Sequence, residues 1–186
     1  MSRSIRITAV GVLAALGLSA ASAADPGPKV GAEAKDFELP VLGGKTAKLS
    51  DLVKDGPVVL VVLRGNPGYQ CPICSTQFAG FRKQADGFKA AGAKVVFVYP
   101  GPSDMLKDKA AEFVKGKDYP GHFVFLLDPD YAFTTAYGLR WDAKNETAYP
   151  STFVIAKDRK VTFAKVSTTH GGRVSAADAL KAVGGK

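Results

Sequence analysis

The sequence predicts an α/β fold: a mixed central sheet with helices on both faces, entered through a small N-terminal hairpin. Three observations carry this. Val58-Val59-Leu60-Val61-Val62-Leu63 is an unbroken aliphatic run, the pattern of a strand covered on both faces. Short apolar runs and amphipathic stretches then alternate, which implies parallel strand pairs with right-handed crossovers. Finally, two strand-like runs joined by the charged turn Lys157-Asp158-Arg159-Lys160 form an antiparallel hairpin before a last helix.

Taken in order, residues 24–35 (ADPGPKVGAEAK) read as a loosely ordered Pro/Gly-rich lead-in. Phe37-Glu38-Leu39 and Thr46-Ala47-Lys48-Leu49 flank Gly43-Gly44 and suggest the entering hairpin, after which Ser50 can cap a one-turn helix through Val53. The strand 58–63 leads through the loop 64–70 into a helix over 71–91. Its Phe78, Phe81, Ala85 and Phe88 form one apolar stripe, and Gly92 ends it. A strand follows at 95–98. Ser103 is placed to cap a helix to about Lys115, with Met105, Leu106, Ala110, Phe113 and Val114 as its buried side. A third strand is expected at 123–127, a short helix at 130–137 closed by Gly138, and the hairpin strands at 152–155 and 161–164. Ser175 caps a final helix through Val183.

A chain of 186 residues with 46% hydrophobic and 23% charged side chains can bury one core and is short for two ordinary domains. Residues 1–23 have the three parts of a cleavable signal peptide. Arg3 and Arg6 make a positive start, residues 7–20 are apolar, and Ala21-Ser22-Ala23 supplies a small-residue cleavage site. The apolar run is shorter than the roughly 20 residues that a membrane span needs. The expectation is therefore a periplasmic or secreted protein, without stable membrane insertion after cleavage. Residues 24–186 then form a single domain with its core at about 30–184. Cleavage removes Arg3 and Arg6 and lowers the net charge from +8 to +6. Lys107, Asp108, Lys109, Glu112, Lys115, Lys117 and Asp118 alternate in sign, which is a solvated helix face and argues against nucleic-acid binding.

Chemistry concentrates in Cys71-Pro72-Ile73-Cys74, at the start of a helix that follows a buried strand. Unpaired N–H groups and the positive helix end stabilise a thiolate there, and the spacing lets the two sulfurs meet within one turn. Pro72 costs no hydrogen bond at an early helical position. The pair can cycle between dithiol and disulfide. Two alternatives stand beside this. A half zinc site would need both His122 and His170, at no familiar spacing, to complete four ligands. An inert disulfide across so short a loop would contribute little chain-entropy stabilisation.

The stretch 58–77 (VVLVVLRGNPGYQCPICSTQ), with Leu127-Asp128-Pro129-Asp130, Ala136-Tyr137-Gly138 and Tyr149-Pro150-Ser151-Thr152-Phe153, resembles the redoxin branch of the thioredoxin fold. More closely it is similar to the alkyl hydroperoxide reductase/thiol-specific antioxidant family. The resemblance implies a thioredoxin-like three-layer sandwich over about residues 30–183. That family carries Pro-x-x-x-Thr/Ser-x-x-Cys with the last Cys attacked by peroxide. On this register Pro67 is the proline, Cys74 the peroxide-reactive sulfur, and Cys71 stands where a hydroxyl is usual. The arginine the family places before the Thr-Phe strand is replaced by Pro150-Ser151. Arg64 or Arg173 could supply its charge, each against the simpler role of an ordinary surface arginine. Pro150 resembles the cis-proline that faces the cysteine pair in thioredoxin-like reductases, where it leaves a backbone edge for substrate.

The resemblance thus implies an antioxidant thiol oxidoreductase that reduces peroxides through Cys71 and Cys74, with Pro67 and Pro150 lining the substrate site, and the signal-like start adds that it is exported. An external dithiol reductant would reset the pair, and no metal, flavin or nucleotide is needed. The competing reading is a thiol-disulfide reductase acting on exported proteins, with Cys71 as attacker. A copper-binding module is further away, because Tyr149-Pro150 stands where the copper-chaperone branch carries a histidine. Asn145-Glu146-Thr147 is a glycosylation sequon, His170 reads as a solvated loop residue, and Tyr69 and Trp141 belong to the cleft rim or to packing.

Overall fold

The computed structural model describes residues 26–185; the signal-peptide expectation at 1–23 lies outside them. The elements run β1 (Glu38–Pro40), β2 (Thr46–Lys48), α1 (Leu49–Leu52), β3 (Val58–Val62), α2 (Pro72–Lys83), α3 (Ala85–Ala90), β4 (Lys94–Gly101), α4 (Ser103–Val114), β5 (Phe123–Pro129), α5 (Ala132–Ala136), β6 (Ser151–Ile155), β7 (Val161–Val166) and α6 (Ala176–Ala182). β1 and β2 pair as the entering hairpin, and the main sheet has the order β5-β4-β3-β6-β7. β3, β4 and β5 are parallel, while β6 runs antiparallel to β3 and β7 to β6. Among the described residues no helix is long and apolar enough to cross a membrane.

The aliphatic run at β3 is buried on both sides because successive side chains of a strand point to opposite faces. Val59, Val61 and Leu63 enter one core with Phe78, Phe81, Phe97, Phe113 and Phe125. Val58, Leu60 and Val62 enter the other with Leu49, Leu52, Phe133 and Phe153. Phe78 anchors the first core, with its ring 4.8 Å from Phe97 and 5.6 Å from Phe113. Truncating so enclosed a ring to Ala costs about 3–5 kcal/mol. This packing fixes the helix that begins at the cysteines.

The structure corrects several local expectations. The helix expected over 71–91 is broken at Gln84, whose φ of −101° and ψ of 12° are not helical. His122 Nε2 lies 3.0 Å from the Ala85 carbonyl at this break, and the turn lets Phe88 stack on Phe81 at 5.5 Å. Gly92 closes the second piece at φ +65°, as expected. Ser50 and Ser103 do not cap their helices. Instead Asp36 Oδ1 accepts from the Ser50 N–H at 2.9 Å and Asp130 Oδ1 from the Ser103 N–H at 3.0 Å, so distant carboxylates do that work. Ser175 does cap α6, accepting from the Asp178 N–H at 3.1 Å. Met105, expected inside, is exposed.

The lead-in is not loose beyond residue 30. Gly31 N–H donates to Val161 O, Val161 N–H to Ala32 O and Ala34 N–H to Arg159 O, so it covers the free edge of β7. On the opposite side Leu42 N–H donates to Phe125 O and shields β5. Each edge strand is thereby capped over part of its length, β7 at Val161 and β5 at Phe125.

Candidate active site

The cysteines are placed by a loop that leaves the end of β3 and is tied down at nearly every residue. Leu63 N–H donates to Val98 O, continuing the sheet ladder one residue past the strand. Gly65 has φ +73°, and a Cβ there would stand 2.0 Å from Pro100 O, so only glycine fits. Asn66 Oδ1 accepts from the Gly68 N–H at 2.8 Å and holds the turn containing half-buried Pro67. Gln70 is clamped from both sides. Its Oε1 accepts from the Tyr99 hydroxyl at 2.9 Å, and its Nε2 donates to Lys109 O at 2.8 Å. Burial pushes the Tyr99 phenol up, so the group stays a donor. Cys71 follows as the N-cap of α2, with Pro72 in the first helical position.

Cys71 is 3% exposed and Cys74 fully buried, both as free thiols. The Cys74 backbone N–H donates to Cys71 Sγ at 3.3 Å, so the first sulfur caps the helix in place of a Ser or Asp oxygen. The Arg173 guanidinium reaches both sulfurs, with Nη1 3.3 Å from Cys74 Sγ and Nη2 3.8 Å from Cys71 Sγ. Its Nη1 also donates to Gln77 Oε1 at 3.0 Å, and its Nε to the His170 carbonyl at 3.0 Å.

These contacts separate the two thiols. The Cys71 thiol is pulled down to about 5, first by a hydrogen bond from the Cys74 thiol. Burial opposes this, and the Cys74 N–H and the charges of Arg173 and Arg64 add to it. Burial pushes the Cys74 thiol well up, and donation to Cys71 pushes it further, against the pull of Arg173. Distance to Arg173 alone would favour Cys74. Complete burial and the helix N–H aimed at the other sulfur outweigh it, so the thiolate sits on Cys71. The sequence register had pointed to Cys74.

A second set of contacts lies beside the first. Arg64, 3% exposed, donates from Nε to Glu146 Oε2 at 2.7 Å, from Nη1 to the Tyr69 hydroxyl at 2.7 Å and from Nη2 to Asn145 O at 2.6 Å. Glu146 Oε1 meets His170 Nε2 at 2.8 Å. Burial raises the Glu146 carboxyl, but Arg64 and His170 hold it net below the ordinary range. Trp141 stacks on Tyr149 at 4.9 Å and packs against the His170 ring at 5.4 Å.

Neither arginine is an ordinary surface residue: Arg173 brings a charge to the thiols from the loop before α6, and Arg64 from the loop after β3. His170 is paired rather than simply solvated. Tyr69 is half-exposed, Ile73 is exposed, and both flank the pair. Pro150 is buried and carries a correction: no peptide bond among the described residues is cis. Its carbonyl accepts from the Ser167 N–H at 2.9 Å, extending the β6–β7 ladder with a trans bond at that position. Among the described residues no three His, Cys, Asp or Glu side chains gather as a metal site. Gln70, Gln77, Tyr99 and Glu146 were not singled out as site residues from the sequence. In the sequence Glu146 is only the middle of a sequon, and its pairing with Arg64 spans 82 positions with no local signature.

Comparison with known proteins agrees with this architecture. The Redoxin family matches residues 29–181. Rv1608c of Mycobacterium tuberculosis, a candidate peroxiredoxin, is 34% identical over 135 residues, covering 72% of this chain and 82% of that protein. Rv2521 of the same organism, also a candidate peroxiredoxin, is 29% identical over 151 residues, covering 78% and 89%. The crystal structure of the peroxidoxin BcpB from Mycobacterium tuberculosis superposes with a TM-score of 0.68 at 28% identity, covering 83% of this chain and 96% of that one. Its thioredoxin-like sandwich, its family match and its relatives together place the chain in the Redoxin family, as a peroxiredoxin-like thiol-dependent oxidoreductase.

Proposed function

We propose that the chain is an exported antioxidant peroxidase that reduces hydroperoxides through Cys71 and Cys74, with Cys71 as the attacking sulfur. The observation that carries this reading is a guanidinium bonded to both sulfurs of a nearly buried pair whose outer member also accepts a helix N–H. The Cys71 thiolate attacks one oxygen of the O–O bond. That bond breaks, the leaving oxygen takes a proton and departs as water or alcohol, and Cys71 becomes a sulfenic acid. Arg173 is placed to stabilise the thiolate before attack and the developing negative charge on the leaving oxygen during it. Cys74 then attacks the sulfenic sulfur and expels water, forming the disulfide. Because the two sulfurs share the first turn of α2 and one guanidinium, this step needs no rearrangement of distant segments. An external dithiol returns the pair to thiols by exchange.

The same thiolate could attack a disulfide, which keeps the reductase reading in view. An exposure of 3% at Cys71 favours a small peroxide over a folded protein. The export part of the proposal rests on Arg3, Arg6, the apolar stretch 7–20 and Ala21-Ser22-Ala23. The test is the rate of the reduced protein with hydrogen peroxide and with a small aromatic disulfide. Reaction with peroxide well above free cysteine supports the proposal. Fast reaction with the disulfide alone transfers the site to the reductase reading.

A further inference from the structure

We propose that Glu146 and His170 are positioning residues: one carboxylate, bridging Arg64 and His170, holds the Arg173 loop over the cysteine pair. The inference concerns the thiols of the function proposed above but does not depend on which oxidant they meet.

Arg173 stands in residues 167–174, a segment without regular structure between β7 and α6. Its guanidinium is aimed by two partners, Gln77 Oε1 on α2 and the carbonyl of His170. The His170 main chain therefore matters only if its own place is fixed. Its ring is fixed by Glu146 Oε1 at 2.8 Å and by the Trp141 face. Glu146 in turn is fixed by Arg64 Nε on its other oxygen at 2.7 Å, and the Arg64 side chain is 3% exposed. The two arginines are thus linked in series, Arg64 to Glu146 to the His170 ring, and the His170 carbonyl to Arg173. The charged or titratable groups around Cys71 are Cys74, Arg173 and Arg64, with Tyr69, Tyr99, Glu146 and His170 one contact further out.

Glu146→Ala tests this with a sign. Alanine removes both acceptor oxygens, so the bonds to Arg64 and to His170 are lost whichever tautomer the imidazole holds. If Glu146 were only a nearby negative charge, its removal would ease ionisation of Cys71 and lower the thiol titration. If it positions Arg173, its removal raises the titration. Thiolate absorbance at 240 nm is followed against pH in the reduced full chain. From a wild-type midpoint of about 5, a rise of about one pH unit lowers the thiolate signal at pH 5.5 about threefold. His170→Ala should behave alike. His170→Gln, whose amide can still donate to Glu146 Oε1, should recover most of the signal.

An unchanged or lowered midpoint in folded Glu146→Ala overturns the proposal, even where thermal stability falls. Should that variant not fold, equal midpoints in His170→Ala and His170→Gln overturn it. A wild-type protein inert to peroxide would refute the proposed function and leave these titrations as the test of the positioning role.

Discussion

Replacing Arg173 with Gln removes the charge nearest the thiols while keeping a polar side chain beside Gln77. The Arg173 Nη2 is 3.8 Å from Cys71 Sγ. A unit charge at that distance is worth about 4 kcal/mol at an effective dielectric near 20 and about 1 kcal/mol in bulk water. Arg173 is half-buried, so a value of about 1.4–2.8 kcal/mol is appropriate, which raises the Cys71 midpoint by about one to two pH units. The wild-type midpoint lies at about 5. Because the thiolate is the reactive form, the loss is largest at low pH. At pH 5.5 the reactive fraction falls by about 3- to 25-fold, and at pH 7.5 by no more than about 1.3-fold. The assay is stopped-flow reaction with hydrogen peroxide from pH 4.5 to 8, alongside thiolate absorbance. A drop in the high-pH plateau beyond that small factor would measure contact between the guanidinium and the leaving oxygen. A pH profile that superposes on the wild type would refute the role of Arg173.

Two further outcomes follow from the structure and the sequence. Gly65→Ala forces a Cβ to within 2.0 Å of Pro100 O at φ +73°. It should cost at least about 2–3 kcal/mol and lower the thermal midpoint by roughly 4–12 °C in calorimetry; an unchanged midpoint would mean that the loop can be rebuilt. Protein recovered outside the cytoplasm should begin near Ala24 on N-terminal sequencing, and intact Met1 on a membrane-bound form would show an anchor instead.

The fold was readable because its signals are local. Six consecutive aliphatic residues at 58–63 announce a two-sided strand, and the Phe stripe from Phe78 to Phe88 announces the helical stretch, α2 and α3, that packs on it. Where the reading failed, a distant residue decided. Asp36 and Asp130 took over caps that Ser50 and Ser103 were placed to supply. His122 marks the break that divides the long helix. The candidate site divides in the same way. Cys71 and Cys74 carry their spacing in the sequence, and Arg173 could be suspected from a charge missing before Thr152. Its contact with Cys74 spans 99 positions, however, and nothing near it in sequence says which sulfur it serves. The assignment of the thiolate to Cys71 rests on burial and on the direction of one backbone N–H, neither of which spacing encodes. The trans bond at Pro150 shows the opposite hazard, where a resemblance carried over a geometry that this chain does not adopt.

The most direct test of the account separates the two sulfurs. Reduced Cys71→Ser and Cys74→Ser are each mixed with hydrogen peroxide in a stopped-flow instrument, and the product is trapped with a sulfenic-acid reagent for mass spectrometry. The account predicts that Cys74→Ser keeps the fast reaction and accumulates sulfenic acid on Cys71, because the thiolate and its arginine remain. Cys71→Ser should react no faster than free cysteine, because burial holds the remaining thiol protonated. Fast sulfenic-acid formation on Cys74 in Cys71→Ser would contradict the assignment and restore the family register, and slow reaction of both variants would contradict the peroxidase reading itself.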